Sequence, residues 1–71
     1  MNIERELSLK IREIRELRGF SQSQLAHYMG VTQGYVSAIE SGNYAVGIKV
    51  LQQIADILKF EIKIIPKNLK Q

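Results

Sequence analysis

The sequence predicts an all-α domain of four to five helices that carries one short β-strand near its C-terminal end. Apolar residues recur with helical spacing in two stretches, residues 3–17 and 48–58. Between these stretches, a serine and a threonine each stand directly ahead of a short helical pattern, where N-caps are expected. From residue 60 the apolar period changes to strict alternation, which is typical of a strand. We expect residues 1–71 to form a single domain.

The first predicted helix, residues 3–17, carries one apolar stripe. Its apolar residues are three or four positions apart: Ile3, Leu7, Ile11, Ile14 and Leu17. Acidic residues occupy the first turn and basic residues the last, as the helix dipole favours. Gly19 follows as a residue that readily adopts the left-handed conformation of a helix end.

Two short helices are predicted in the middle of the chain, at residues 22–29 and from 33 to about 41. Ser21 and Thr32 are the expected N-caps of these helices. Gly30 breaks the first helix and supplies the turn between the two. The last predicted helix covers residues 48–58, after Gly47 as a weaker cap.

Residues 22–41 read QSQLAHYMGVTQGYVSAIES and resemble the phage repressor and Cro-type helix-turn-helix family. The pattern consists of a small residue within the first helix, a glycine at the turn and branched apolar residues in the second helix. These residues are Ala26, Gly30, Val36 and Ile39. Two steeply crossing helices need a small side chain at closest approach, and the turn needs a residue that accepts positive φ. The resemblance implies that the domain binds double-stranded operator DNA.

In this family the second helix of the motif lies in the major groove and presents its first turn to base edges. The resemblance therefore implies base readout by five residues: Thr32, Gln33, Gly34, Ser37 and Ala38. Gln33 is the expected principal reader, because its amide can donate to and accept from an adenine edge at once. The alternative for Gln33 is a solvated first residue of the helix.

Contacts to the DNA backbone are expected from Gln22, Tyr35, Asn43, Tyr44 and Arg15. Core packing is the alternative for Tyr44, and a position on the outer helix face is the alternative for Tyr35. Arg15 and Glu40 also resemble the internal ion pair of the family, the alternative being two independent solvated charges. Glu40 is the only formal charge between Arg18 and Lys49, so the central segment is expected to recognise DNA mainly through neutral polar groups.

Residues 60–65 are similar to the terminal strand of HipB-type antitoxins, which pairs across a dimer. The similarity implies a homodimer in which Phe60, Ile62 and Ile64 face the helices. It also implies an autoregulating antitoxin with a kinase-like toxin as second partner. A Cro-like phage repressor and a restriction–modification controller are the alternatives within the same class.

Other classes of function are less well supported by the sequence. A protein-interaction module with weak or no DNA binding is the main alternative, since there is almost no positive charge between Arg18 and Lys49. An enzyme is not expected, because no nucleophile stands beside a base and no glycine-rich phosphate loop occurs. With no cysteine and the single His27, no metal site or cofactor is expected. The charged start and the lack of a long apolar run predict a cytoplasmic protein with no membrane contact, and residues 67–71 are expected to fray.

Overall fold

The computed structural model describes residues 3–66 and contains four α-helices within that range. The helices are α1 (Ile3–Leu17), α2 (Gln22–Met29), α3 (Gln33–Glu40) and α4 (Ile48–Leu58). The four predicted helices are confirmed, and only the third differs in length, ending at Glu40 rather than near Ser41. None of the helices in this range is long and apolar enough to cross a membrane.

The ends of α2 and α3 are determined by local hydrogen bonds. The Ser21 hydroxyl accepts from the backbone N–H of Gln24 at 3.0 Å, and the Gln24 side chain accepts from the backbone N–H of Ser21 at 2.8 Å. The Thr32 hydroxyl caps α3 by accepting from the backbone N–H of Tyr35 at 3.2 Å. Between the helices, Gly30 adopts a φ of 73°, which explains the need for glycine at the turn.

Apolar side chains from all four helices form one core. Its buried members are Ile11, Leu25, Ala26, Met29, Val36, Ile39, Leu51, Ile54, Ala55 and Leu58. The set includes Ala26, Val36 and Ile39, so the motif residues serve packing. Because α3 contributes one side to the core, its opposite side faces outward.

The predicted strand at residues 60–65 is not formed in the described chain. Residues 60–66 have no regular secondary structure, and only Phe60 of the three predicted dimerisation residues packs against the core. Ile62 is 38% exposed and Ile64 is 95% exposed. The physical reason is that a strand needs a hydrogen-bonded neighbour, and residues 3–66 supply no second strand. The predicted frayed tail, residues 67–71, lies outside the described residues.

Arg18 joins the end of α1 to the end of α4. Its guanidinium donates to the backbone carbonyl of Leu58 at 2.8 Å and to that of Lys59 at 2.9 Å. Lys59 itself adopts a left-handed φ of 63° as the helix ends. These bonds hold the point at which residues 60–66 leave the helical body.

Candidate nucleic-acid interface

The outward side of α3 carries the predicted base-reading residues. Thr32, Gln33, Gly34 and Ser37 are exposed, and Ala38 is half-buried. At 100° per residue, the four helical members of this set lie on the side away from Val36 and Ile39. The first turns of α3 therefore present a shallow polar surface, because Gly34 has no side chain and Ala38 ends in a methyl group.

Beneath this surface, Arg15 on α1 forms a buried ion pair with Glu40 on α3. Arg15 Nε donates to Glu40 Oε2 at 2.6 Å and Nη2 donates to Oε1 at 3.1 Å, while Nη1 donates to the Phe20 carbonyl at 2.6 Å. The side chains of Arg15 and Glu40 are 8% and 2% exposed. The hydrogen bond with Glu40 raises the pKa of Arg15 above its ordinary value, so Arg15 stays charged. The structure thus brings these two residues together and buries Arg15, a predicted phosphate contact.

A chain of side-chain hydrogen bonds continues from this pair to the start of α3. Gln22 Nε2 donates to Glu40 Oε1 at 3.0 Å, and Gln33 Nε2 donates to Gln22 Oε1 at 2.6 Å. Gln22 is therefore the link between the buried ion pair and the first residue of α3. A primary amide has two N–H donors and one carbonyl acceptor, so Gln33 keeps one donor and its acceptor for a ligand. Sequence reasoning named both glutamines but missed the contact between them.

Tyr35 and Tyr44 meet at the other end of the interface. Their ring centroids are 5.5 Å apart and their planes are inclined by 71°, an edge-to-face arrangement. A side-chain hydrogen bond with Tyr44 raises the pKa of Tyr35. Tyr44 is 44% exposed, so it lies on the surface rather than in the core. Asn43 is also exposed, and its backbone N–H donates to the Ser41 hydroxyl at 3.3 Å.

Two short helices that are capped separately, cross over a shared core and are joined by a glycine turn make this a helix-turn-helix domain. Residues 11–65 match the family described as Helix-turn-helix, and the chain belongs to that family. Family membership identifies a DNA-binding domain and not an enzyme. The predicted resemblance to this family is confirmed.

Two related proteins align with most of this chain. Over 63 residues it is 35% identical to an uncharacterized HTH-type transcriptional regulator, y4dL, of Sinorhizobium fredii, covering 89% of this chain and 32% of the regulator. Over 61 residues it is 26% identical to the ImmF control region 10 kDa protein of Bacillus phage phi105, covering 86% of this chain and 68% of that protein. The chain thus spans about a third of the length of the first relative. Neither match shows the predicted similarity of residues 60–65 to HipB-type antitoxins.

Proposed function

We propose that this chain is a sequence-specific transcriptional repressor that binds a palindromic operator as a homodimer. The observation that supports base reading is the hydrogen-bonded series from Arg15 and Glu40 through Gln22 to Gln33. Fixing a flexible side chain at an interface costs about 0.5–1.5 kcal/mol. Because Gln22 already holds the Gln33 side chain in the free protein, binding DNA requires little further ordering of that side chain.

The chemistry of readout follows from the groups that Gln33 leaves available. Its carbonyl oxygen accepts from adenine N6 and its second N–H donates to adenine N7, a bidentate contact that is worth about 1–3 kcal/mol of discrimination. Gly34 allows the helix backbone to approach the groove closely, and the Ala38 methyl suits a thymine methyl group. The start of α2 at Gln22 directs backbone N–H groups and the helix dipole toward a phosphate.

The reader role of Gln33 is tested with an operator selected from a pool of random duplexes by the purified chain. Gln33→Ala should weaken binding to that operator by about 5- to 150-fold and leave binding to random DNA nearly unchanged. The matched control is Gln52→Ala, because Gln52 is an exposed glutamine on α4 that bonds Asp56. Equal losses on operator and random DNA would show that Gln33 does not read sequence.

The homodimer is proposed from the unpaired apolar segment at residues 60–66. Ile64 is 95% exposed and Ile65 is 80% exposed, and an isolated extended segment leaves its backbone N–H and C=O groups without partners. Pairing with the same segment of a second chain in antiparallel fashion satisfies these groups and closes the assembly at two. The two α3 helices then need to be about 34–36 Å apart to meet successive major grooves.

A single substitution separates dimerisation from folding. Ile64→Glu should abolish the dimer in sedimentation while leaving the helical content and the melting of the monomer unchanged, because Ile64 makes no core contact in this chain. Ile3→Glu is the control, since Ile3 is 75% exposed at the opposite end of the chain. A dimer that persists in Ile64→Glu with unchanged operator affinity would show that residues 60–65 do not join the protomers.

Within this class, the similarity of residues 60–65 to HipB-type antitoxins favours an autoregulating antitoxin with a kinase-like toxin as partner. The names of the two relatives, a transcriptional regulator and a control-region protein, support transcriptional control without supporting a toxin. Co-purification with the product of a kinase-like gene beside its own gene tests the antitoxin role. If no such gene lies there, the antitoxin role fails while the repressor proposal stands.

A second candidate function is neutralisation of a protein partner with weak or no DNA binding. It is favoured by the absence of positive formal charge between Arg18 and Lys49. A gel-shift titration against the DNA upstream of the gene distinguishes the two functions. A specific shift supports the repressor, whereas no shift at concentrations that retain a protein partner supports neutralisation.

A further inference from the structure

A concave site of about 230 Å³ lies beside the outward side of α3. It is lined by Arg12, Gln22, Ser37, Glu40 and Ser41. These residues come from α1, the start of α2, and α3 with its end, so the site exists only because the three helices cross here. It adjoins the base-reading residues through Ser37, which belongs to both surfaces.

Arg12 and Glu40 are the two charged residues in the lining of this site. Both carboxylate oxygens of Glu40 already accept hydrogen bonds from Arg15, and one of them also accepts from Gln22. The ion pair with Arg15 neutralises Glu40, so Arg12 is the remaining charged residue of the lining. The Arg12 side chain is 58% exposed. The site therefore offers a guanidinium and the exposed Ser37 hydroxyl to an anion.

Arg12 has an acidic neighbour that does not line the site. Arg12 Nε lies 3.4 Å from Glu16 Oε2, and the two side chains are 58% and 56% exposed. An exposed pair of this kind contributes little stability, because water and salt screen both charges. Glu16 Oε2 also lies 3.8 Å from Arg15 Nη2, so Glu16 keeps a cationic neighbour when Arg12 turns away.

We propose that the site takes one phosphate of the DNA backbone, bound by Arg12 and Ser37, and that Glu16 competes with this phosphate for Arg12. The inference rests on the proposed DNA-binding function. The planar guanidinium fork matches phosphate geometry, whereas its 3.4 Å contact with Glu16 is longer than the roughly 2.7–2.9 Å of a strong charge-assisted bond. Phosphate contacts position a protein on the duplex without reading sequence. Arg12 is thus a positioning residue, and Glu16 reduces its contribution.

Lys10 and Glu13 provide matched controls on the same helix. They form an exposed ion pair of the same type, with Lys10 Nζ 3.0 Å from Glu13 Oε1. Two residues along α1 correspond to a rotation of about 200°, so Lys10 lies on the far side of the helix from Arg12. Neither Lys10 nor Glu13 lines the concave site. If only net charge matters, substitutions in the two pairs should change DNA affinity equally. If Arg12 contacts a phosphate, the substitutions at Arg12 and Glu16 should have the larger effects.

The experiment measures binding to a fluorescent duplex of arbitrary sequence by anisotropy, over a series of salt concentrations. The slope of log K against log salt is negative, and Arg12→Ala should reduce its magnitude by about 0.9 for each bound protomer, the value for one phosphate. Lys10→Ala should change that slope far less. Glu16→Gln should tighten binding about two- to fivefold, the equivalent of an exposed ion pair, and should exceed the effect of Glu13→Gln. Arg12→Lys keeps the charge and should retain the slope with weaker binding, because the guanidinium fork is lost.

Equal slopes for Arg12→Ala and Lys10→Ala would overturn the phosphate contact, and equal affinities for Glu16→Gln and Glu13→Gln would overturn the competition. Thermal melting of every variant checks folding, which these exposed side chains should leave intact. Failure of the unsubstituted chain to bind any duplex would instead contradict the proposed DNA-binding function. The two failures are therefore distinguishable.

Discussion

Glu40→Gln removes the negative charge from the ion pair that joins α1 to α3. Both partners are buried, with side chains 8% and 2% exposed, so the substitution falls in the regime where losing one partner costs about 3–5 kcal/mol. An exposed pair costs only about 0–1 kcal/mol. Glutamine keeps the shape and one acceptor, which places the expected loss near the lower limit, about 3 kcal/mol. At about 4–8 °C per kcal/mol for a domain of this size, the melting temperature should fall by roughly 12–24 °C.

Urea and thermal unfolding followed by far-UV circular dichroism measure this loss. Glu13→Gln is the matched control, because its partner Lys10 and Glu13 itself are 65% and 69% exposed, and it should cost at most about 1 kcal/mol. A double variant, Arg15→Met with Glu40→Leu, should recover stability by apolar packing. It should not recover operator affinity, because Gln22 and Gln33 lose their support. A loss for Glu40→Gln no larger than that for Glu13→Gln would refute both the structural link and the argument for a preorganised Gln33.

Three further predictions concern stability. Ser8 is 1% exposed and its hydroxyl has no hydrogen-bond partner among residues 3–66, so Ser8→Ala should stabilise the fold by about 1 kcal/mol, and a lower urea midpoint would contradict this. Lys59→Gly should relieve about 1–2 kcal/mol of left-handed strain against about 0.4–1 kcal/mol of unfolded-state entropy, and the midpoints give a net gain of about 0.8 kcal/mol that thermal melting measures. The hydrogen bond with Tyr44 raises the pKa of Tyr35. The contribution of this bond to the free energy of unfolding is therefore fully present below the ordinary pKa of 10.0, and it is lost as pH rises through the raised pKa. An alkaline unfolding series should show this decline, and it should be reduced in Tyr35→Phe but not in Tyr28→Phe.

The helix ends were predictable from the sequence because their signals are local. Ser21, Gly30 and Thr32 act within a few residues of themselves, and each occupies its expected place in the caps and the turn. The end of α3 differs by one residue because Ser41 is the C-cap and not the last helical residue, although its φ of −76° and ψ of −15° are nearly helical. Its hydroxyl donates to the Ala38 carbonyl at 2.7 Å. Ser41 therefore follows the course of the helix but lies just beyond its last residue.

The Arg15–Glu40 pair was expected from the family resemblance, and the structure contains it. The other contacts of the interface were not predictable, because they depend on how distant segments cross. Gln22 and Gln33 are 11 residues apart, and their contact requires the angle that the core imposes on α2 and α3. Arg12 and Ser37 line the concave site from different helices in the same way. The predicted strand is not formed within one chain for another reason. Alternation describes the side chains of one segment, whereas a strand also requires a second segment with which it pairs.

The anchoring of Arg18 to the carbonyls of Leu58 and Lys59 has a consequence for operator architecture. In a dimer joined through residues 60–65, the distance between the two α3 helices depends on the direction in which that segment leaves each helical body. Arg18, which directly follows α1, holds this direction and is not one of the proposed base-reading residues. Arg18 would thus set the separation of the two α3 helices in such a dimer. In the proposed dimer, a change at Arg18 should therefore alter the half-site separation that the two α3 helices span, while the proposed base-reading residues stay the same.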